Sequence, residues 1–199
     1  MSEPLKRITG IAAPWPAHNT DTDVLMPKRF LRTLTRAGLA DGLFADLRFG
    51  ADGSEHAEFI LNRAPWRDAV ILVVGDNFGC GSSREHAVWG LRQFGIRALV
   101  GTGFAGIFYD NCRRNGIAAI TLDTTARNLL METAADPERA AMTIDLEHQC
   151  IEYAGGRITF TLPEAIRDDL MAGRDAITAT LEHSDIIRAF EADYYDEAS

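Results

Sequence analysis

The chain has 199 residues, 46% hydrophobic and 25% charged, with a formal net charge of −9. That length and apolar content suit one globular domain, 1–199, and the acidic balance argues against a nucleic-acid partner. The three cysteines, Cys80, Cys112 and Cys150, are widely spaced with no C-x-x-C, which gives neither a zinc knuckle nor an iron–sulfur ligand set and fits a reduced, cytoplasmic setting.

At the N-terminus, "MSEPLKRITGIAAPWPA" carries an early acid and has two prolines in its only apolar patch, which spoils a signal peptide, and the apolar runs of the chain are strand-sized, short of a membrane span. "RITGIAAPW" predicts a first strand halted by Pro14 and Pro16. "NTDTDVLMPKRFLRTLTRAG" predicts a polar turn, a short apolar piece and a helix ending near Gly38; from Leu39 to Ala64 the pattern is irregular, with "FGADGSEH" a loop. "DAVILVVG" reads as a buried strand, and "SREHAVWGLRQFG" as a helix closed by Gly95 with Ala87, Leu91 and Phe94 on one apolar face. "IRALVG", "FAGIFYDNCRRNG" and "IAAITLD" then give strand, helix and strand. This β-α-β-α-β order implies a parallel sheet covered by helices. "MTIDLEHQCIEYAGGRITFTL" alternates like antiparallel strands around the tight turn "AGGR", and amphipathic helices follow near 163–172 and 184–194. The expected class is α/β, layered, with antiparallel strands added to a parallel core.

Most of the chemistry-bearing residues gather in "VGDNFGCGSSREHA". Ser82-x-x-Glu85 has the spacing of a capping box, which satisfies backbone N–H groups at a helix start. A P-loop would need lysine after the glycines, and a nucleophile elbow would need G-x-S-x-G; neither is present. Cys80 with His86 hints at a thiol nucleophile but lacks an orienting third group. Anion binding at a helix N-terminus remains, with Arg84 adding a planar fork suited to a carboxylate. The same donors could hold a serine oxygen as an alkoxide.

Two other stretches compete for attention. "GTGFAG" matches the dinucleotide-binding pattern, follows a strand, opens a helix and has Asp123 after the next strand, so a nicotinamide-dependent oxidoreductase is the rival reading. "HNTDTDVLMPKRFLR" offers Asp21 and Asp23, either metal-binding or turn-forming, and three cations, Lys28, Arg29 and Arg32, within five residues. His18, His56, His148 and His183 show no ligand spacing.

"GDNFGCGSSREHAVWGL", together with "NTDTDVLMPKRFL", "GTGFAGIFYDNCRRNGI" and "LEHSDIIRAFE", resembles the small subunits of 3-isopropylmalate dehydratase, in the aconitase superfamily, over essentially the whole chain. The resemblance implies the three-layer swivelling β/β/α domain of that superfamily, and a hydro-lyase of leucine biosynthesis active only with a large subunit. That partner would carry the 4Fe–4S cluster, with no cofactor bound by this chain. By the same resemblance Ser82 is the catalytic base, Ser83 and Arg84 bind a carboxylate of a small dicarboxylic hydroxy acid, Asp23 supports the site, and Lys28 adds charge near the substrate. In archaeal relatives the residues after the equivalent aromatic–leucine pair help choose the substrate, and an arginine there favours a carboxylate-bearing chain, so Arg32 leaves citramalate and homoaconitate-type acids open. A non-catalytic paralogue acting as a binding module is the third class of function. Val88 and Gly90 depart from the proline and alanine usual in the family's helix, and Gly90 is expected to weaken that helix by roughly 1 kcal/mol.

Overall fold

The computed structural model describes residues 4–32, 38–82, 84–174 and 184–197, without the side chains of 32, 189 and 192–197. Its strands are β1 (Arg7–Trp15), β2 (Ala69–Val74), β3 (Ala98–Gly101), β4 (Ala118–Thr121), β5 (Ala141–Asp145), β6 (Cys150–Tyr153) and β7 (Gly156–Thr159). They pair as one sheet in the order β4-β3-β2-β1-β5-β6-β7, parallel from β1 to β4 and antiparallel from β1 through β5 to β7. The expected parallel core with antiparallel strands added is therefore present, joined through β1.

The helices are α1 (Thr22–Leu25), α2 (Ala45–Arg48), α3 (Glu85–Phe94), α4 (Gly106–Arg114), α5 (Thr124–Ala135), α6 (Glu164–Ala172) and α7 (Ser184–Glu197). Period-2 alternation of the strands sends side chains into two separate cores. Ala13, Leu72, Val74, Leu99 and Ala119 join Ala87 and Leu91 of α3 and Phe108 and Cys112 of α4 in one cluster. Ile8, Ala12, Ile71, Val73, Val100 and Ile120 join Leu130 and Ala134 of α5 and Leu170 of α6 in the other. Met142, Ile144 and Ile151 of the antiparallel strands enter that second core too, so the parallel and antiparallel parts of the sheet share it.

Several boundaries depart from the sequence pattern for physical reasons. Proline does not halt β1, which runs through Pro14 to Trp15. β5 flanks β1 only as far as Ile11. The Ala12 N–H points to that side, donating to Ala140 O at 2.8 Å, and by alternation position 14 faces the side that β5 has left. The missing proline N–H therefore breaks no ladder bond. The segment after Pro27 is a 3-10 helix over Lys28–Arg32, and the rest of the helix expected there, 33–37, lies outside the described residues. The irregular stretch after it is packed rather than loose: Leu39, Leu43, Phe44 and Leu61 are buried. Trp15, Phe44 and Phe59 pack as a tilted cluster at ring centroid separations of 4.6 to 5.7 Å.

The α3 helix ends where expected, at Gly95 with φ of 120°. Its interior glycine has a packing role that propensity does not reveal. Gly90 is buried, and a Cβ there would lie 2.4 Å from Met26 Cε and 3.2 Å from Leu39 O. The helix thus gives up some intrinsic stability to lie against the chain that follows α1.

Helix α5 escapes the apolar pattern altogether. Its buried face consists of Arg127, Leu130, Thr133 and Ala134, so two polar residues interrupt the stripe that marks an amphipathic helix. Arg127 reaches the end of β2, donating from Nη1 to Val74 O at 3.2 Å and from Nη2 to Asp76 Oδ1 at 3.0 Å.

One glycine at the end of β2 admits no side chain. A Cβ at Gly75 would lie 2.3 Å from Ala17 O and 2.7 Å from Pro16 O, which are backbone atoms unable to rotate away. Gly75→Ala is expected to destabilise the domain by roughly 3 kcal/mol, the upper end for overpacking, read as a lower urea midpoint at unchanged m-value.

Candidate active site

The two polar signatures, far apart in sequence, are sewn together at the ends of β1 and β2. β1 delivers residues 16–23 and β2 delivers residues 75–82, and the strands are parallel neighbours. Asn19 N donates to Asp76 O at 2.8 Å, Gly79 N to Thr20 O at 2.8 Å and Thr22 N to Cys80 O at 2.9 Å. Side chains complete the seam: Asn77 Nδ2 donates to Asn19 Oδ1 at 2.9 Å, and Thr22 Oγ1 donates to Ser82 O at 2.7 Å. Asp21 caps α1 by accepting from Val24 N at 2.8 Å. That assigns it the turn-forming role, whereas the next acid, Asp23, is free to face the other loop.

Asp23 pairs with Arg84 Nη1. The Arg84 side chain is 11% exposed and that of Asp23 44%, so the guanidinium is held in the protein while the carboxylate stays wet. The other N–H groups of Arg84 have no partner among the described residues and remain available to a ligand. The hydrogen bond from Arg84, with the charges of Arg84 and Lys28, holds the Asp23 carboxyl below the usual carboxylate range. A carboxyl lowered in the folded state stabilises it fully above its unfolded value and loses that contribution as pH falls through the folded value. Asp23→Asn should therefore flatten the acid limb of a melting-temperature profile below about pH 4, and an unchanged limb would show that the pair contributes nothing there.

Ser82 is exposed at the mouth of a cavity of about 140 Å³, lined also by Thr22, Gly79, Arg84, Gly106, Ile107, Phe108 and Asn111. The capping box expected at Ser82 and Glu85 is not formed. Helix α3 begins at Glu85, its N-cap is Arg84, and no side chain caps it. Glu85 instead accepts from Asn115 Nδ2 at 2.8 Å, a partner at the end of α4 that local spacing could not disclose. Ser82 is thereby left without a capping duty, and among the described residues no side chain caps the N–H groups at the start of α3 beside it.

The rival dinucleotide reading loses its acidic residue. Asp123 caps α5, accepting from Ala126 N at 2.9 Å. Phe104 folds back over the glycine turn, its Cζ 3.2 Å from where a Gly101 Cβ would stand, and Thr102 Oγ1 donates to Asp76.

Of the other residues singled out from the sequence, Lys28 is exposed and acts electrostatically on Asp23, and Arg29 is turned away to pair with Asp46. The backbone of Arg32 ends the 3-10 helix; Ser83 and His183 lie outside the described residues. Thr22 was not singled out, although its hydroxyl ties the two loops; its only signal was its place between the two aspartates.

No three His, Cys, Asp or Glu side chains converge as a metal site among the described residues. Cys112 and Cys150 are buried in separate elements, and burial pushes the Cys112 thiol up. The donors of this chain therefore do not fit an iron–sulfur cluster. Cys80 alone is half-buried, so brief alkylation of the native protein should label Cys80 first by peptide mass spectrometry; equal labelling of Cys112 or Cys150 would contradict the packing described. No described helix is long and apolar enough to cross a membrane.

Comparison with known proteins identifies the family. Residues 2–125 match the aconitase C-terminal domain family. The 3-isopropylmalate dehydratase small subunit 1 of Mannheimia succiniciproducens is 50% identical over 188 residues, which cover 94% of this chain and 93% of that one. The 3-isopropylmalate dehydratase small subunit of Rhizobium johnstonii is 50% identical over 186 residues, 93% of this chain and 92% of that one. The solved structure of 3-isopropylmalate dehydratase (leuD) from Methanocaldococcus jannaschii superposes with a TM-score of 0.68 at 25% identity, covering 93% of this chain and 99% of that one. By its fold and its likeness along nearly the whole length, the chain belongs to the aconitase C-terminal domain family, among the 3-isopropylmalate dehydratase small subunits.

Proposed function

We propose that this chain is the small subunit of a hydro-lyase that interconverts 2-isopropylmalate and 3-isopropylmalate by removing and re-adding water, in leucine biosynthesis. The observation that carries the reading is the clasp of the two signatures: Asp23 on Arg84, and the Thr22 hydroxyl on the Ser82 carbonyl, beside a cavity that Ser82 and Arg84 share.

In the dehydration a C–H and the neighbouring C–O bond break, a C=C bond forms, and the proton needs a strong base held close to a weak carbon acid. Ser82 is that base, as an alkoxide. Its oxyanion lies near the uncapped start of α3 and the Arg84 cation, both of which favour negative charge. Arg84 and Ser83 hold a substrate carboxylate and fix the carbon over Ser82. Asp23 is a positioning residue, holding the guanidinium through one nitrogen, and Lys28 supplies positive charge beside it; by family likeness Arg32 is a further substrate-binding residue.

The large subunit would complete the site and carry the 4Fe–4S cluster, whose iron would supply Lewis acidity toward the substrate hydroxyl. Its large share of the chemistry explains why this chain holds few titratable groups at the cavity.

The test is anaerobic reconstitution with the large subunit of the same organism, following alkene absorbance with isopropylmalate, citramalate and homocitrate side by side. Preference for isopropylmalate is expected. Preference for citramalate would move the reaction to a related hydro-lyase, and preference for the carboxylate-bearing homologue would in addition point to Arg32 as the selecting residue. Tight assembly without turnover on any acid would make the chain a non-catalytic paralogue.

A further inference from the structure

The cavity beside Ser82 has a second wall that the serine–arginine signature does not describe. Helix α4 presents its N-terminus there without a side-chain cap: Ala105 is extended, and the first helical bond belongs to Tyr109, donating to Ala105 O at 2.9 Å. The amide N–H groups of Gly106, Ile107 and Phe108 precede that bond, and all three residues line the cavity. One turn beyond Ile107, on the same side of the helix, stands Asn111. It is 7% exposed and lines the same cavity, and its carboxamide has no hydrogen-bond partner among the described residues. Its amide is not sealed among the buried orphans, of which Arg127 Nε is the one among the described residues, so it is reachable from the cavity while the rest of the residue is buried, as a group that bonds a ligand must be.

We propose that the α4 N-terminus and the Asn111 carboxamide form the far half of the substrate-carboxylate subsite. Arg84 holds the carboxylate from one side, and the amides of Gly106 and Ile107 with the Nδ2 of Asn111 hold it from the other. Helix N-termini favour anions through free N–H groups and the helix dipole, and a carboxamide with Nδ2 turned inward adds a further donor. The glycine at position 106 fits this role, because the space its Cβ would fill is open for 4 Å. The proposal rests on the function proposed above, and it adds a specificity for carboxylate that Arg84 alone does not provide.

Two variants test it. Asn111→Asp keeps the shape but replaces a donor with a charge that repels the carboxylate. Gly106→Pro deletes one amide N–H at the first helical position, where proline is tolerated, after an Ala105 already in the extended conformation that proline requires (φ −62°, ψ 135°). In the assembled enzyme Asn111→Asp should raise KM at least thirtyfold and Gly106→Pro about tenfold, each by more than it lowers kcat. A merely structural Asn111 would lower the melting temperature and leave KM unchanged. Malonate serves as a turnover-independent probe on the full chain alone: it should raise the melting temperature of the wild type, and much less that of either variant. Wild-type KM in both folded variants, or an equal malonate shift in all three proteins, overturns the subsite. Failure of the wild type to turn over any acid, with the malonate differences intact, would overturn the proposed reaction and leave the subsite standing.

Discussion

In the assembled enzyme, Ser82→Ala is expected to lower kcat by about 10² to 10⁴-fold, the range that a positioned proton-transfer group supplies. The loss should come without destabilisation. The Ser82 side chain is exposed, and its link to the rest of the site is the backbone carbonyl that accepts from Thr22 at 2.7 Å, which alanine retains. Because α3 starts at Glu85 with Arg84 as its N-cap, alanine at 82 also removes no helix cap. Melting temperature and affinity for the large subunit should match the wild type. A variant that keeps full activity would remove Ser82 from the role of base.

Arg84→Gln should act on KM first, raising it by roughly 10 to 150-fold, the equivalent of one hydrogen bond to a charged group at 1.5–3 kcal/mol. Glutamine reaches toward Asp23 but carries no charge for a carboxylate. Lysine at 84 should recover only part of the loss, because an ammonium cannot bond Asp23 and a ligand in one plane as a guanidinium does. Asp23→Asn should fall between, since it loosens the guanidinium without deleting it. An Arg84→Gln enzyme with wild-type KM and reduced kcat would instead place Arg84 on the transition state alone.

The strands were legible because burial leaves a plain mark: "AVILVV" and "ALVG" are apolar on both faces, as central parallel strands are. α3 was legible from its apolar face and glycine stop, and α4 from its arginine-rich end and glycine stop. α5 was not, because Arg127 and Thr133 occupy its buried side, where pairing with the end of β2 takes the place of apolar contact. The Ser82–Glu85 spacing suggested a cap because that rule is local. The bond that overrides it, Asn115 to Glu85, joins residues 30 apart. Likewise Asp23 and Arg84 are 61 residues apart, and no spacing brings them together; only the parallel pairing of β1 with β2 does. Family likeness pointed to both residues, whereas Asn111 lay within a motif whose obvious pattern, "GTGFAG", drew attention to its glycines and to Asp123.

The central claim is that the catalytic site is divided between two chains, with the base on this one. The most direct test mixes this chain and the large subunit anaerobically at constant total concentration and varies their proportion, following alkene absorbance from isopropylmalate. Turnover should be absent at both ends of the series and reach its maximum at an intermediate ratio. Turnover by the large subunit alone, unchanged as this chain is added, would contradict the account by placing the base on the partner.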